Sequence, residues 1–159
     1  MKLKGTHLTE VEAIPVPIIR GEETIILLAG PIDLELFETI VPEIEVPVKE
    51  TAGSLGGGVV SQPKNPAYLK AVDARNEQRL GWMVCESIRL HTEGLEFEFY
   101  NPDDPTTFVK WQEEFKAFGC SQIENGRIIQ AVMEANSLTE DKVDEARRSF
   151  LVARRAAKR

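Results

Sequence analysis

Several residues in this sequence have side chains and spacings that suit acid–base catalysis. Glu96 and Glu98 lie two residues apart, and in a strand that spacing puts both carboxylates on one side. The surrounding "LEFEF" alternates apolar and acidic residues, which is typical of a short strand with one wet side. We therefore interpret the two glutamates as the solvent side of that strand and not as a general acid and base.

Two loops contain residues that suit ion binding. Asp103 and Asp104 in "NPDDP" could ligate a metal, but they stand immediately before a predicted helix, where a turn and an N-cap account for both. Gly53 and Gly58 in "GSLGGG" have the outer spacing of a phosphate-binding loop. Valines occupy the next two positions, where that loop needs lysine and serine or threonine. Neither loop is predicted to bind an ion.

The remaining metal-binding and nucleophilic side chains are scattered. His7 and His91 stand alone, and Cys85 and Cys120 match no metal or redox spacing. We interpret the cysteines as buried thiols in a reducing cytosol. The sequence predicts no catalytic, metal or cofactor site, so we expect a protein that is not an enzyme and needs no cofactor.

Charge and hydropathy limit the partners. The 159 residues carry a net charge of −7, which disfavours nucleic acid as a partner. Residues 147–159 are the exception, with six basic and no acidic side chains. The longest apolar run, "TIILLAGPI", is too short to cross a membrane, and the first residues lack a signal-peptide core. We expect a soluble cytoplasmic protein.

The first 41 residues predict a β-hairpin followed by a short helix. "LTEVEAIPVPII" and "TIILLAG" are the strands, with Gly21 in the turn between them. Pro15 and Pro17 cannot donate to a ladder, so the first strand is predicted to be an edge strand or a bulged one. Asp33 is a plausible N-cap for the short helix.

Residues 42–65 predict a flexible arm or linker. Prolines stiffen the start of this segment, and glycines loosen its middle. Its valines and isoleucine offer an apolar surface, but the segment has too many glycines and prolines to fold alone. We expect it to gain order on a partner or on a sister subunit.

Residues 66–159 predict a helical domain of about four helices with a basic C-terminal end. The first helix runs to about Leu90, and one of its faces, which includes Leu69 and Leu90, is predicted to face the core. Its reverse face is either a second buried face or a contact site, because tryptophan, tyrosine and arginine dominate binding hot spots. That reverse face consists of Tyr68, Arg75, Arg79 and Trp82.

The later helices are short and separately capped. Asp104 caps the second, whose stripe of Phe108, Trp111, Phe115 and Phe118 predicts an aromatic core. Gly119 is predicted to end it. Ser121 and Glu124 predict a capping box for the third helix, which we expect to be the most buried. Asn136 ends that helix, and Thr139 caps a fourth. The fold class is therefore predicted to be α+β.

Two long segments of the helical half carry a family resemblance. "NPAYLKAVDARNEQRLGWMVCESI" and, further on, "DPTTFVKWQEEFKAFGCSQIENGRIIQAVMEANSLTEDKVDEARRSFL" resemble the tail assembly chaperones of long-tailed (siphovirus-type) bacteriophages. The acidic, proline-rich "FETIVPEIEVP" is similar too. The order and spacing of several features carry the resemblance: Pro66 with Tyr68, Trp82, the helix ending near Gly119, "ANSL" and "EARRSFL". Cys120 departs from the pattern, because an apolar residue is expected there.

The resemblance implies a non-catalytic role in tail morphogenesis. Such chaperones are thought to coat the tape measure protein, keep its long hydrophobic helix soluble and recruit tail-tube subunits. They act in the host cytoplasm and leave before the tail is complete, so they are not expected in the mature virion. Two alternatives remain open: a minor tail or connector subunit of the virion, and a small DNA-binding regulator that uses a helix-turn-helix, against which the acidic charge argues.

The candidate partner-binding residues lie at two places. Tyr68, Arg75, Arg79 and Trp82 are expected to bind partners or sister subunits together with the arm, giving a homo-oligomer. Arg154 and Arg155 are the candidates in the basic C-terminal end. This end either contacts an acidic partner or only places positive charge near the negative C-terminal end of a helix dipole.

Overall fold

The structure, a computed structural model, describes residues 12–51, 56–136 and 148. It has the α+β architecture that the sequence predicts. Of the helix predicted after Thr139, only Arg148 is described, and it is helical and exposed. The arginines at 154 and 155 lie outside the described residues. The elements in chain order are β1 Ile14–Arg20, β2 Glu23–Ala29, α1 Glu35–Ile40, β3 Val48–Thr51, β4 Gly58–Ser61, α2 Pro66–Arg89, a 3-10 helix Pro105–Lys110, α3 Trp111–Ala117 and α4 Gln122–Ala135.

The described residues form two compact units. The hairpin unit contains residues 12–32, 86–96 and 115–136, and the aromatic unit contains residues 33–85 and 97–114. Each unit therefore combines residues from before position 41 with residues from after position 65. Local sequence patterns do not reveal such pairings, because each pattern fixes only its own element.

The hairpin unit is built on the antiparallel pair of β1 and β2. Gly21, with φ 61°, lies in the predicted turn, and the register pairs Arg20 with Glu23. Helix α4 packs on the inner side of this pair through residues at helical spacing. The buried residues are Val16 and Ile18 of β1, Leu27 and Ala29 of β2, and Ile128, Ala131, Val132 and Ala135 of α4.

The aromatic unit is organised around Phe37 of α1, which is fully buried. Its ring centroid lies 5.7 Å from that of Trp82 and 6.5 Å from that of Phe108. Tyr100 extends the cluster, 5.6 Å from Phe108. Offset and tilted aromatic contacts of this kind add to the free energy of burial. Of the aromatic stripe predicted for the second helix, Phe108, Trp111 and Phe115 are buried, and Phe37 of α1 packs on Phe108. The prediction is wrong for Phe118, which is 42% exposed.

Helix caps are the predicted features that the structure confirms most directly. Asp104 caps the 3-10 helix by accepting from the N–H of Thr106. At α1 the N-cap is Leu34, so the cap predicted at Asp33 is one residue early, although the Asp33 side chain accepts from the N–H of Glu35. Ser121 and Glu124 form a complete capping box at α4. Gly119, with φ 87°, follows the end of α3. These caps satisfy N–H groups and allow sharp reversals between short helices.

The strand predicted at residues 95–99 is wrong. The chain there is irregular, and its N–H groups at Phe99 and Tyr100 donate to the buried carboxylate of Glu114. Leu95 and Phe97 are half-buried and Glu96 and Glu98 exposed, as the pattern predicts, but Phe99 is exposed and Tyr100 is buried, so the alternation fails at its end. The Glu114 carboxylate accepts the hydrogen bonds that the carbonyl groups of a neighbouring strand would otherwise accept. The sequence pattern could not show this, because Glu114 lies outside the segment.

The helical faces also differ from the prediction. Helix α2 is buried on all sides from Gly81 to Ile88, whereas Leu69 and Leu90, assigned to its core face, are exposed. α4 is not the most buried helix, because only four of its residues are buried and Ile123 at its start is 72% exposed, whereas α2 is buried continuously from Gly81 to Ile88. Periodicity identified the helices, but which faces are covered depends on the elements packed against them.

The segment predicted to be an arm contains a second hairpin. β3 and β4 pair antiparallel, and the N–H of Gln62 donates to the carbonyl oxygen of Pro47 at 2.8 Å. Every residue from Val48 to Glu50 and from Gly58 to Ser61 is exposed. An isolated two-stranded hairpin with no buried side chain is marginally stable.

Candidate protein-interaction surfaces

Trp82, the most prominent candidate for partner binding, is buried in the aromatic unit. Its side chain is only 3% exposed and packs on Phe37 of the same unit. The sequence left open whether the reverse face of the first helix is buried or binds a partner, and at Trp82 it is buried. The neighbouring side of α2 therefore serves to hold α1.

Arg75 anchors the segment that leaves α1. Its guanidinium donates to the carbonyl oxygens of Val41 and Pro42, each at 2.9 Å, and pairs with the carboxylate of Glu38. It also lies over the ring of Phe37, 5.1 Å from the centroid. A planar guanidinium can make these contacts at once, and lysine cannot. Arg75 thus holds the start of the segment of residues 42–47 against α2.

The other residues of the reverse face remain on the surface. Arg79 is partly exposed and lies 3.9 Å from Glu38, and half-buried Tyr68 follows the cap residue Asn65. A role for Tyr68 and Arg79 in partner binding stays a prediction. The candidates Arg154 and Arg155 lie outside the described residues.

Residues 44–48 and 59–60 expose a series of apolar side chains. Ile44, Val46 and Val48 alternate with Glu43, Glu45 and the intervening Pro47, as in a strand with one apolar side. Val59 of β4, 66% exposed, faces Glu50 across the ladder, and Val60 is exposed on the other side. Clustered apolar side chains without cover mark interaction surfaces.

An ion pair joins the tip of the first hairpin to the start of α4. Arg20 donates to both carboxylate oxygens of Glu124, at 2.6 and 2.9 Å, and to the carbonyl oxygen of Gly119. These bonds, together with the N–H of Ser121, lower the pKa of Glu124 to about 2. Burial raises the pKa of the nearby Cys120 thiol, which keeps it protonated.

The side chains that suggested chemistry have structural roles where they are described. Glu96 and Glu98 are exposed, and Asp104 is the cap reported above; hydrogen bonds from Thr106 lower its pKa. His91 Nε2 lies 2.9 Å from the carbonyl oxygen of Pro31, and Cys85 is buried. Within residues 12–51 and 56–136, no three metal-ligating side chains form a group that could hold an ion.

The first hairpin has an exposed surface that the sequence analysis did not single out. Ile19 on β1 and Ile25 and Ile26 on β2 are all more than two-fifths exposed. A signal was present: prolines interrupt β1, whereas the apolar run of β2 contains none. Strand edges without prolines are open to pairing.

No protein-family model, no curated protein and no solved structure matches the chain. Across the described part of the chain, no helix has the length and apolar character that a membrane crossing requires. The family resemblance therefore depends on the residues quoted for it.

Proposed function

We propose that this protein is a tail assembly chaperone of a long-tailed bacteriophage, with no catalytic activity of its own. The order and spacing of the features between Pro66 and Leu151 carry this proposal. Its partners are the tape measure protein and the tail-tube protein, and it works as a homo-oligomer. It acts in the host cytoplasm and is not retained in the virion.

The exposed apolar side chains of residues 44–48 and 59–60 are consistent with a chaperone function. A chaperone for a long hydrophobic helix must cover apolar surface and then release it. Short strands that bury nothing in their own chain can rearrange on a partner at small cost, because few contacts are lost. Glutamates at positions 43, 45 and 50 keep this apolar surface hydrated when it is unoccupied.

Co-expression with the tape measure protein of the same phage tests the proposal. We expect the tape measure protein to be soluble with the chaperone and aggregated without it. Val48→Ser combined with Val59→Ser should reduce the soluble fraction, whereas Val109→Ser, an equally apolar exposed site in the aromatic unit, should not. Equal solubility with and without the chaperone would reject the function.

Mass spectrometry of purified virions separates the proposal from its alternative. A chaperone is absent or present in traces, whereas a minor tail or connector subunit is present in fixed copies. Fixed stoichiometry in the virion would favour the structural role.

A further inference from the structure

The two free edges of the β1–β2 hairpin differ in their capacity to pair. On β1, Pro15 and Pro17 lie opposite Leu28 and Ile26. Proline has no N–H to donate, so an incoming strand cannot form a regular ladder with β1. On β2, residues 23–29 contain no proline. Only the β2 edge can therefore accept another strand.

Thr92 shows which way the main-chain groups of β2 point. The N–H of Leu28 donates to the Thr92 hydroxyl at 2.8 Å, and that hydroxyl lies 3.3 Å from the carbonyl oxygen of Leu28. Both groups of Leu28 therefore point away from β1. In an antiparallel pair this direction alternates, so the N–H and C=O groups of Thr24 and Ile26 also point outward. Pro17 opposite Ile26 fits this pattern, since that pair exchanges no bonds.

Burial shows that the outer side of β2 lacks cover. Ile25 is 43% exposed, although Ile18 directly opposite is only 2% exposed, and Ile26 is 53% exposed. Helix α4 packs mainly on β1, which accounts for the difference. Among the described residues, none forms a hydrogen bond with the outward groups of Thr24 and Ile26. Within the part of the chain that the structure describes, the β2 edge is therefore apolar and its outward main-chain groups at Thr24 and Ile26 are unpaired.

We propose that this edge binds the same edge of a second copy, so that two β2 strands pair antiparallel across a twofold axis at Ile25. Thr24 then pairs with the partner's Ile26, and Ile26 with the partner's Thr24. Each pair exchanges both N–H···O bonds, and the two Ile25 side chains meet as a non-hydrogen-bonded pair. The interface uses the same residues from both copies, as twofold dimers do. It does not depend on the proposed function.

The length of the open edge favours a copy of β2 as its occupant. Thr92 closes the ladder at Leu28, so an incoming strand must turn away opposite that residue. With the axis at Ile25, the residue opposite Leu28 is the partner's Glu22, which lies in the turn after β1. The partner strand therefore ends opposite Leu28, the position at which Thr92 already occupies the main-chain groups of β2.

The charges on β2 also permit self-pairing. In this register Glu23 faces the partner's Leu27, so no carboxylate lies directly opposite another. Like charges directly opposite each other in a sheet are destabilising, and a chain of net charge −7 has little tolerance for them.

The first test uses proline at the edge. Because the N–H of Ile26 points away from β1, Ile26→Pro removes only an edge donor and leaves the intrachain ladder intact. In sedimentation velocity over a concentration series, we expect the wild-type chain to dimerise and Ile26→Pro to remain monomeric with an unchanged circular dichroism spectrum. Ile19→Thr, an exposed site on β1, should dimerise like the wild type. A wild-type monomer at every concentration, or a folded Ile26→Pro that still dimerises, would overturn the proposal.

The second test fixes the register and does not rely on the proline variant folding. In a Cys120→Ser background, with Cys85 buried, Ile25→Cys should give a disulfide-linked dimer under mild oxidation. The Cα atoms of a non-hydrogen-bonded pair lie about 4.5 Å apart, which is within the range of roughly 4.4–6.8 Å that a disulfide spans. Thr24→Cys should crosslink far less, because its opposite residue is the partner's Ile26. Equal crosslinking at both positions, or more at position 24, would contradict the axis at Ile25.

Discussion

At the residue scale, Arg75 and Trp82 show that the same side chain types serve cores and interfaces. Both are enriched in binding hot spots because they combine apolar area with directed polar groups. Here Arg75 uses those properties to hold Val41 and Pro42, and Trp82 packs on Phe37. The residue types of Arg75 and Trp82 are compatible with burial and with partner binding. Only the position of α1 shows that both side chains make contacts within the chain.

Glu124 gives the molecule an acid-dependent contact. Its pKa is lowered to about 2, so its contribution to stability is fully present above its ordinary pKa of about 4.5 and is lost as the pH falls through about 2. We expect Glu124→Gln to destabilise the protein at neutral pH. The difference from wild type should shrink as the pH falls from about 4.5 towards about 2.

Urea denaturation at a series of pH values measures that difference. Glu113→Gln, at an exposed position of α3, is the matched control and should differ little from wild type throughout. A Glu124→Gln difference that stays constant down to about pH 2 would show that the Arg20 contact contributes no acid-dependent stability.

At the element scale, Gly81 fixes how α2 meets the 3-10 helix within the aromatic unit. A Cβ at Gly81 would lie 1.9 Å from the carbonyl oxygen of Phe108 and 2.8 Å from Cδ1 of Trp111. Backbone atoms cannot yield as a flexible side chain can. The sequence alone shows only a glycine within a helix, which is usually unfavourable.

Two glycine-to-alanine variants should therefore change stability in opposite directions. Gly81→Ala should lower the free energy of unfolding by about 1–3 kcal/mol, because the added methyl group overpacks the contact. Gly126→Ala, in α4 with no neighbour within 4 Å of the added Cβ, should raise it by roughly 0.5–1 kcal/mol. Urea denaturation followed by tryptophan fluorescence measures both. A Gly81→Ala variant as stable as Gly126→Ala would contradict the close approach.

At the scale of the whole molecule, the β3–β4 hairpin is expected to be dispensable for folding. Residues 48–50 and 58–61 are exposed, and Pro47 and Gln62 at the base of the hairpin are joined by a hydrogen bond. Replacing residues 48–61 with a Gly-Gly linker should leave the melting temperature nearly unchanged. The apolar side chains of β3 and β4 would be lost, so the same variant should protect the tape measure protein less well.

A fragment of residues 65–159 is the informative comparison for that deletion. It retains the predicted helical domain but lacks Phe37 and the β1–β2 pair, which complete the cores of the two units. We expect the fragment to show no cooperative melt by circular dichroism. A cooperative melt, or a large loss of stability in the hairpin deletion, would contradict the division of the chain into these units.

The sequence by itself determined the local features of this protein. The capping box of Ser121 with Glu124 and the turn at Gly21 are interactions between residues a few positions apart, and the structure contains them as predicted. The helical periodicities located helices but did not identify the faces that are buried. The α+β class follows from these elements. The chaperone function also comes from the sequence, through the resemblance, and stays a proposal.

The tertiary structure decided which surfaces are free. Burial of Trp82 depends on Phe37, a residue 45 positions earlier, and the irregular chain at Phe99 depends on the carboxylate of Glu114. The open edge of β2 depends on where α4 and Thr92 stop covering it. The physical reason is common to all three: a side chain or a main-chain edge is buried or exposed according to its neighbours in space, and the spacing of residues along the chain does not specify those neighbours.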